Sequence, residues 1–277
     1  MITNKKLVGC LLIIAILLAS LIMGAFTQEV SVLDEILKRG SVRVAMVLVA
    51  YPMAFRNEKG EPTGYEYDMA MLLAEKLGVK LEVVECMGGA TRIPTLQAKK
   101  ADIIIAGLTR NLERAKSVAY MDVPYYMSGF KLIVRPDSPY KTLEDLQANE
   151  AKLKVGIDRG GMAEQWAAKL FPNAQVMRFE TVPDAYLALG KGLIDVMGND
   201  AIAAAVQEAA NPEKFKNVPG ILGTEEIAAA VAYGDFKWWN WCNLFFHEFN
   251  AYGENKRLYI KWLGSAPEQI IDYTEIK

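Results

Sequence analysis

The chain has 277 residues, 52% of them hydrophobic and 23% charged, with 31 Lys and Arg against 33 Asp and Glu, one His and three Cys. That is an ordinary globular composition at a length that suits two lobes, and it excludes a disordered chain and a disulfide-dense scaffold. A single His and no Cys-x-x-Cys spacing give no metal constellation, so neither metal nor cofactor is expected.

Lys5 and Lys6 precede an apolar run from Leu7 to Phe26. A basic start followed by such a run is an export signal, and its length also suits a retained anchor, since about 20 apolar residues cross a bilayer. Residues 1–27 therefore read as a signal peptide or N-terminal anchor, with everything after them on the periplasmic or extracellular face. Leu7 to Cys10 (LVGC) resembles a lipid-attachment box but precedes the apolar run instead of ending it, which argues against lipidation. The remainder carries 29 basic against 33 acidic residues, a mildly acidic balance unsuited to nucleic acid. Cys86 and Cys242 are left, and the sequence leaves open whether they form a disulfide or stay as two buried thiols.

Val30 to Lys38 has helical apolar spacing and stops at Gly40. Val42 to Val49 is a β-branched strand; Asn57 to Glu61 is a turn-rich hairpin loop; Met69 to Leu77 is a helix capped by Gly78; Val79 to Glu85 is a further strand; and Arg92 to Lys99 is a helix with Pro94 in its first turn. The stretch from Ala101 to Val134 reads as a buried strand over Asp102 to Ala106, a polar turn from Gly107 to Asn111, a short helix carrying Glu113, Arg114 and Lys116, and a second strand from Phe130. A strand running into Gly-Leu-Thr-Arg-Asn and then a helix bares backbone N–H groups beside Thr109 and Arg114, a socket for a small carboxylate. The alternative is an ordinary connection with Arg114 as a solvated surface charge.

A second strand–helix series begins at Lys154 and runs through strands at Gln175 to Phe179 and Leu193 to Met197 and helices at Val182 to Lys191 and Ala201 to Ala210. Alternation of this kind predicts an α/β protein with two lobes and a cleft at the strand C-terminal ends. Gly160 and Gly161 follow a strand and bare the amides of the next helix, without the Lys-Ser/Thr of a nucleotide loop. Asp200 ends a strand, where its carboxylate suits either an ammonium group at the cleft mouth or the cap of the helix from Ala201. Phe236 to Tyr252 is an aromatic-rich amphipathic segment, read as core, with His247 as a packing residue in it.

Taken in order, LDEILKRGSVRVAM, GEPTGYEYDMAMLLAEKLGVKLE, RIPTLQAKKADIIIAGLTRNLERAKSV, PYYMSGFKLIV, GLIDVMGND and LYIKWLG resemble the extracellular solute-binding proteins of polar amino acid ABC transporters, over nearly the whole chain from Leu33. The resemblance implies a two-lobe periplasmic-binding fold, each lobe a mixed, mostly parallel sheet flanked by helices, with two hinge crossovers. Lobe 1 would comprise residues 28–130 and 229–277, and lobe 2 residues 131–228. It also implies a monomer without catalysis that closes over an amino acid or related small carboxylate and presents it to a membrane permease.

In that family the arginine matching Arg114 pairs with the ligand α-carboxylate, helped by a hydroxyl matching Thr109 and nearby amides such as Gly107, and the acid matching Asp200 takes the α-ammonium. The positions of the family's flanking aromatic rings fall at Ala50 and Gly89, with Tyr51 displaced by one. The hydroxyl after the second-lobe glycines is Met162, which leaves the Gly160 and Gly161 amides. Arg92 resembles an arginine that reaches the side chain in acidic-amino-acid receptors; its other reading is a surface charge. The same fold includes cyclohexadienyl dehydratases, which the opening segment and the Gly160-Gly161 pair also resemble. Their general acid falls at Ala203, which cannot transfer a proton, and Glu208 would face elsewhere.

Overall fold

The computed structural model describes residues 30–264. The signal or anchor expected over residues 1–27, with its Leu7 to Cys10 segment, lies outside the described residues. Among these no helix is long and apolar enough to cross a membrane.

Helix α1 (Val32–Arg39) starts at Ser31, whose hydroxyl accepts from the Leu33 amide, and stops at Gly40 in the left-handed region, where glycine is favoured. There follow β1 (Ser41–Met46), β2 (Val49–Ala50), β3 (Ala54–Arg56), β4 (Pro62–Thr63), α2 (Tyr65–Leu77), β5 (Lys80–Glu85), α3 (Arg92–Gln97), β6 (Ile103–Ile104), β7 (Ala119–Tyr120) and β8 (Tyr126–Val134). The second series is α4 (Leu143–Ala148), β9 (Lys154–Asp158), α5 (Ala163–Leu170), β10 (Gln175–Phe179), α6 (Val182–Gly190), β11 (Val196–Asp200), α7 (Ala201–Ala210), β12 (Lys216–Asn217) and β13 (Leu222–Ile227). The chain then returns through β14 (Ala230–Val231), α8 (Phe236–Ala251) and α9 (Glu254–Leu263).

The strands build two main sheets, ordered β5-β1-β6-β14-β7 and β10-β9-β11-β8-β12, with β13 also on β8. Each contains a parallel trio, β5-β1-β6 in one and β10-β9-β11 in the other, completed by antiparallel return strands. Strands β8 and β13 pair antiparallel, Ile227 opposite Tyr126 and Leu222 opposite Phe130. Tyr126 and Ile227 sit in the first lobe's core while Phe130 sits in the second's, so both crossings between lobes run side by side. Helix α8 buries Trp238, Phe245, Phe246 and Phe249 in the first core, and the Trp238 indole donates to the Asp102 carbonyl at 2.8 Å. His247 lies on the exposed side of α8 and outside the core, contrary to expectation. Cys86 and Cys242 are free buried thiols in separate core clusters.

Two departures from the sequence reading have local causes. The strand expected to Ala106 ends at Ile104 because the Arg92 guanidinium takes the Ala106 and Gly107 carbonyls at 2.6 and 2.8 Å and so withdraws them from the sheet. The helix expected around Glu113 is a single 3-10 turn, Arg114–Lys116, too short to sum a helix dipole. In the second lobe, Thr142 and Asp145 form a reciprocal capping box at the start of α4. Thr142→Ala should lower unfolding stability by about 1 kcal/mol in chemical denaturation and leave the cleft untouched.

Candidate functional site

Parallel strands leave their C-terminal ends, and the loops after them, free for binding. Here the two trios point those ends at each other and enclose a cavity of about 300 Å³. Its walls include Tyr51, Glu66, Arg92, Gly107, Thr109 and Arg114 from the first lobe, Asp158, Gly161, Met162, Asp200 and Ala203 from the second, and Glu225 from β13.

Arg114 is set by the turn before it, where the Asn111 side-chain oxygen accepts the Arg114 amide at 2.8 Å. Its guanidinium donates to the Thr109 carbonyl at 3.0 Å and, across the cleft, to the Gly160 carbonyl at 2.8 Å. Those contacts and a hydrogen bond to the Tyr120 hydroxyl leave part of its five N–H groups, in a planar array suited to a carboxylate. Burial, and then the like charge of Arg92, lower the Arg114 pKa, yet an arginine remains a cation at neutral pH. Gly160 thus serves through its carbonyl rather than as a wall of the cavity.

Thr109 is buried, and its hydroxyl donates to Glu225 Oε2 at 3.4 Å. The Gly107 amide, expected to face an anion, is already committed to Glu66 Oε1 at 2.6 Å and the Tyr125 hydroxyl at 3.1 Å. The donors left to the cavity on this side therefore belong to the Arg114 side chain and not to a helix terminus.

Asp200 caps a helix with one oxygen and stands in the cavity wall. Oδ1 caps α7 by accepting the Ile202 and Ala203 amides at 2.9 and 3.1 Å. Oδ2 is buried and accepts no hydrogen bond of normal geometry among the described residues, while the Ser128 hydroxyl, 3.4 Å from the Gly129 carbonyl, stands close enough to stabilise the carboxylate. Burial raises the Asp200 pKa above its ordinary 3.8, against the pull of Ser128 and the capped amides.

Arg92 is not a surface charge but a buried cation in the cavity wall, anchored through Nε and Nη1. It is 6% exposed, and Nε donates to the Gly89 carbonyl at 3.1 Å while Nη1 holds the Ala106 and Gly107 carbonyls. Tyr51, 51% exposed, stands at the rim edge-on to Phe55 with ring centroids 4.9 Å apart. Met162 faces Asn111 across the cleft, its sulfur accepting from the Asn111 amide group at 3.4 Å.

Three lining carboxylates escaped the sequence reading. Glu66 accepts the Tyr125 hydroxyl at 2.5 Å besides the Gly107 amide; Glu225 Oε1 accepts the Trp166 indole at 3.2 Å; and Asp158 closes β9 over Gly161. Burial is the leading cause of a raised pKa in all three. Asp158 carried a usable signal, an acid at a strand's C-terminal end before paired glycines. Glu66 looks like any first-turn helix acid, and Glu225 like the polar half of an alternating strand.

The lobes are in contact around this cavity. Gly88 of the first lobe packs on the second so closely that a Cβ there would lie 2.3 Å from the Glu180 carbonyl oxygen, and a Cβ on Gly160 would lie 2.7 Å from Ala90 Cα.

Residues 42–265 match the model of bacterial extracellular solute-binding proteins, family 3. Cyclohexadienyl dehydratase of Pseudomonas aeruginosa is 32% identical over 202 residues, covering 71% of this chain and 72% of that protein. The crystal structure of the ancestral amino acid-binding protein AncCDT-1, a precursor of cyclohexadienyl dehydratase, has a TM-score of 0.78 at 34% identity, over 84% of this chain and 100% of that one. The arginine-bound form of truncated ArgBP from T. maritima has a TM-score of 0.72 at 32% identity, over 78% of this chain and 99% of that one.

Proposed function

We propose that this chain, which belongs to the bacterial extracellular solute-binding proteins of family 3, is an exported, monomeric receptor that closes over one free amino acid and delivers it to an ABC-type permease in the membrane. The observation that carries this reading is the buried Asp200 Oδ2 on the second lobe, which accepts no hydrogen bond of normal geometry among the described residues, in one cavity with the unused guanidinium N–H groups of Arg114 on the first. A buried carboxylate oxygen left without a donor is costly, and an ammonium group supplies one. An amino acid zwitterion meets both needs at once, its α-carboxylate on Arg114 and its α-ammonium on Asp200. Only the closed arrangement lets it touch both lobes, and this differential contact is what drives closure. In this reading the first lobe comprises residues 28–130 and 229–277, the second comprises residues 131–228, and they swing on β8 and β13. No cofactor or metal takes part.

A thermal-shift screen across the amino acids tests the reading: at least one should raise the unfolding midpoint, and a set with no effect would contradict it. Gly88 offers a test of closure. Its φ of 172° suits any residue, so the only obstacle to a side chain is the opposite lobe. Gly88→Ala should keep unfolding stability within ~0.5 kcal/mol of the parent. It should also weaken ligand binding by ~10-fold or more in calorimetry, because the binding-competent closed form becomes scarce.

One observation favours a second reading, an acid-catalysed dehydration of the kind performed by the Pseudomonas relative. Glu66 and Asp158 line the cavity with pKa values raised by burial, as a general acid requires. Against it, Ala203 stands where the dehydratase acid is expected. Turnover of prephenate or arogenate by the purified chain would replace the receptor reading with this one.

A further inference from the structure

One residue of the cavity wall has a side chain that does nothing for the charged ends of an amino acid. Met162, partly exposed, lines the cavity just before α5. A thioether carries no N–H or O–H, so it cannot donate to a carboxylate, and its sulfur is only a weak acceptor. That sulfur nevertheless stands in the contact between the lobes, where it accepts from the Asn111 side-chain amide at 3.4 Å. The oxygen of the same Asn111 side chain accepts the Arg114 backbone amide at 2.8 Å. A single residue therefore links the Met162 sulfur to the placing of Arg114.

There is little slack around this link. The Arg114 guanidinium donates to the Gly160 carbonyl at 2.8 Å, and a Cβ on Gly160 would lie 2.7 Å from Ala90 Cα. An oxygen added to the sulfur has two places to go. Between the lobes, it holds them apart. Turned inward, it puts a strong acceptor into the cavity that Arg114 lines, in competition with a carboxylate for the guanidinium. Either way the closed, ligand-holding form is disfavoured.

We infer that Met162 is a site of oxidative modification: a peroxide converts its thioether to the sulfoxide, and the oxidised chain closes poorly over an amino acid. In that step a sulfur lone pair attacks one peroxide oxygen and the O–O bond breaks with its electron pair on the other. The departing oxygen takes the proton of the transferred hydroxyl and leaves as water, so the sulfur is oxidised and the peroxide reduced. The sulfoxide can be reduced back to the thioether. An amino acid filling the cavity covers the sulfur, so the occupied chain is spared and the empty one is modified. The inference rests on the receptor reading above but fails separately from it.

The test exposes the purified chain to hydrogen peroxide, with and without an equimolar mixture of the standard amino acids lacking Met and Cys, which would consume the oxidant. Peptide mass spectrometry follows the sulfoxide at Met162 and at Met71, which is 46% exposed and outside the cavity wall. The mixture should slow oxidation of Met162 by ~10-fold or more and leave Met71 unaffected. After peroxide alone, the mixture concentration needed for a given rise in the unfolding midpoint should increase by ~10-fold or more, and a methionine sulfoxide reductase should restore it. Met162→Leu, of similar volume, should need the same concentration before and after peroxide, whatever its starting value. Equal oxidation of Met162 with and without the mixture, an unchanged response once Met162 is oxidised, or a loss in Met162→Leu as large as the parent's would each overturn the inference and leave the receptor reading intact. A mixture that never raises the midpoint of the untreated chain would overturn both. Where the variant does not fold, the parent decides alone: its loss of response must follow the Met162 sulfoxide and not the Met71 sulfoxide.

Discussion

Arg114→Ala should weaken amino acid binding by at least ~2 kcal/mol, the scale for removing one partner of a buried charge pair, with unfolding stability little changed. The truncation removes the planar donors for the α-carboxylate and leaves Arg92, anchored on three backbone carbonyls, as the remaining cation in the cavity wall. It also removes the bond to the Gly160 carbonyl that spans the lobes, so closed-state stability falls together with ligand contact. Arg114→Lys should recover only part of the loss, because an ammonium keeps the charge but not the fork. Affinity in Arg114→Ala equal to the parent's by calorimetry would contradict the assignment.

Asp200→Asn should act selectively. Asparagine caps a helix about as well as aspartate, so the Ile202 and Ala203 amides keep their acceptor and the fold is retained. What is lost is the negative charge opposite an α-ammonium. Amino acids should therefore weaken by ~2 kcal/mol or more, while the same carboxylates lacking the amine bind as before. Acidification should imitate the substitution. Burial raises the Asp200 pKa above 3.8, so lowering the pH protonates it before an ordinary aspartate, and amino acid affinity should fall over a window beginning above that value. The deaminated ligand should not follow that profile through Asp200. Equal losses for both ligands in Asp200→Asn would reduce the residue to a cap.

The fold was legible in the sequence where the signal is local. The Gly40 and Gly78 stops and the apolar strands each sit in the predicted kind of element, because helix stops and strand burial act over a few residues. Most site positions were also legible by place: Arg114, Thr109, Asp200, Gly161 and Met162 all reach one cavity. Their wiring was not. That Gly107 gives its amide to Glu66, that Arg92 is anchored on three carbonyls, and that Asp158 stands between Gly89 and Gly161 depend on residues up to 70 positions away and on the approach of the lobes. Linear order carries no record of such contacts. The shortened strand at Ile103–Ile104 has the same origin, a side chain from α3 competing for ladder carbonyls.

The central claim is that one zwitterion holds the two lobes together by touching Arg114 and Asp200 at once. Small-angle X-ray scattering of the parent chain, free and saturated with its amino acid or with the deaminated form of that ligand, tests it most directly. The account predicts a smaller radius of gyration with the amino acid and none of that compaction with the deaminated form, which engages Arg114 alone. Equal compaction by both, or by neither, would contradict it.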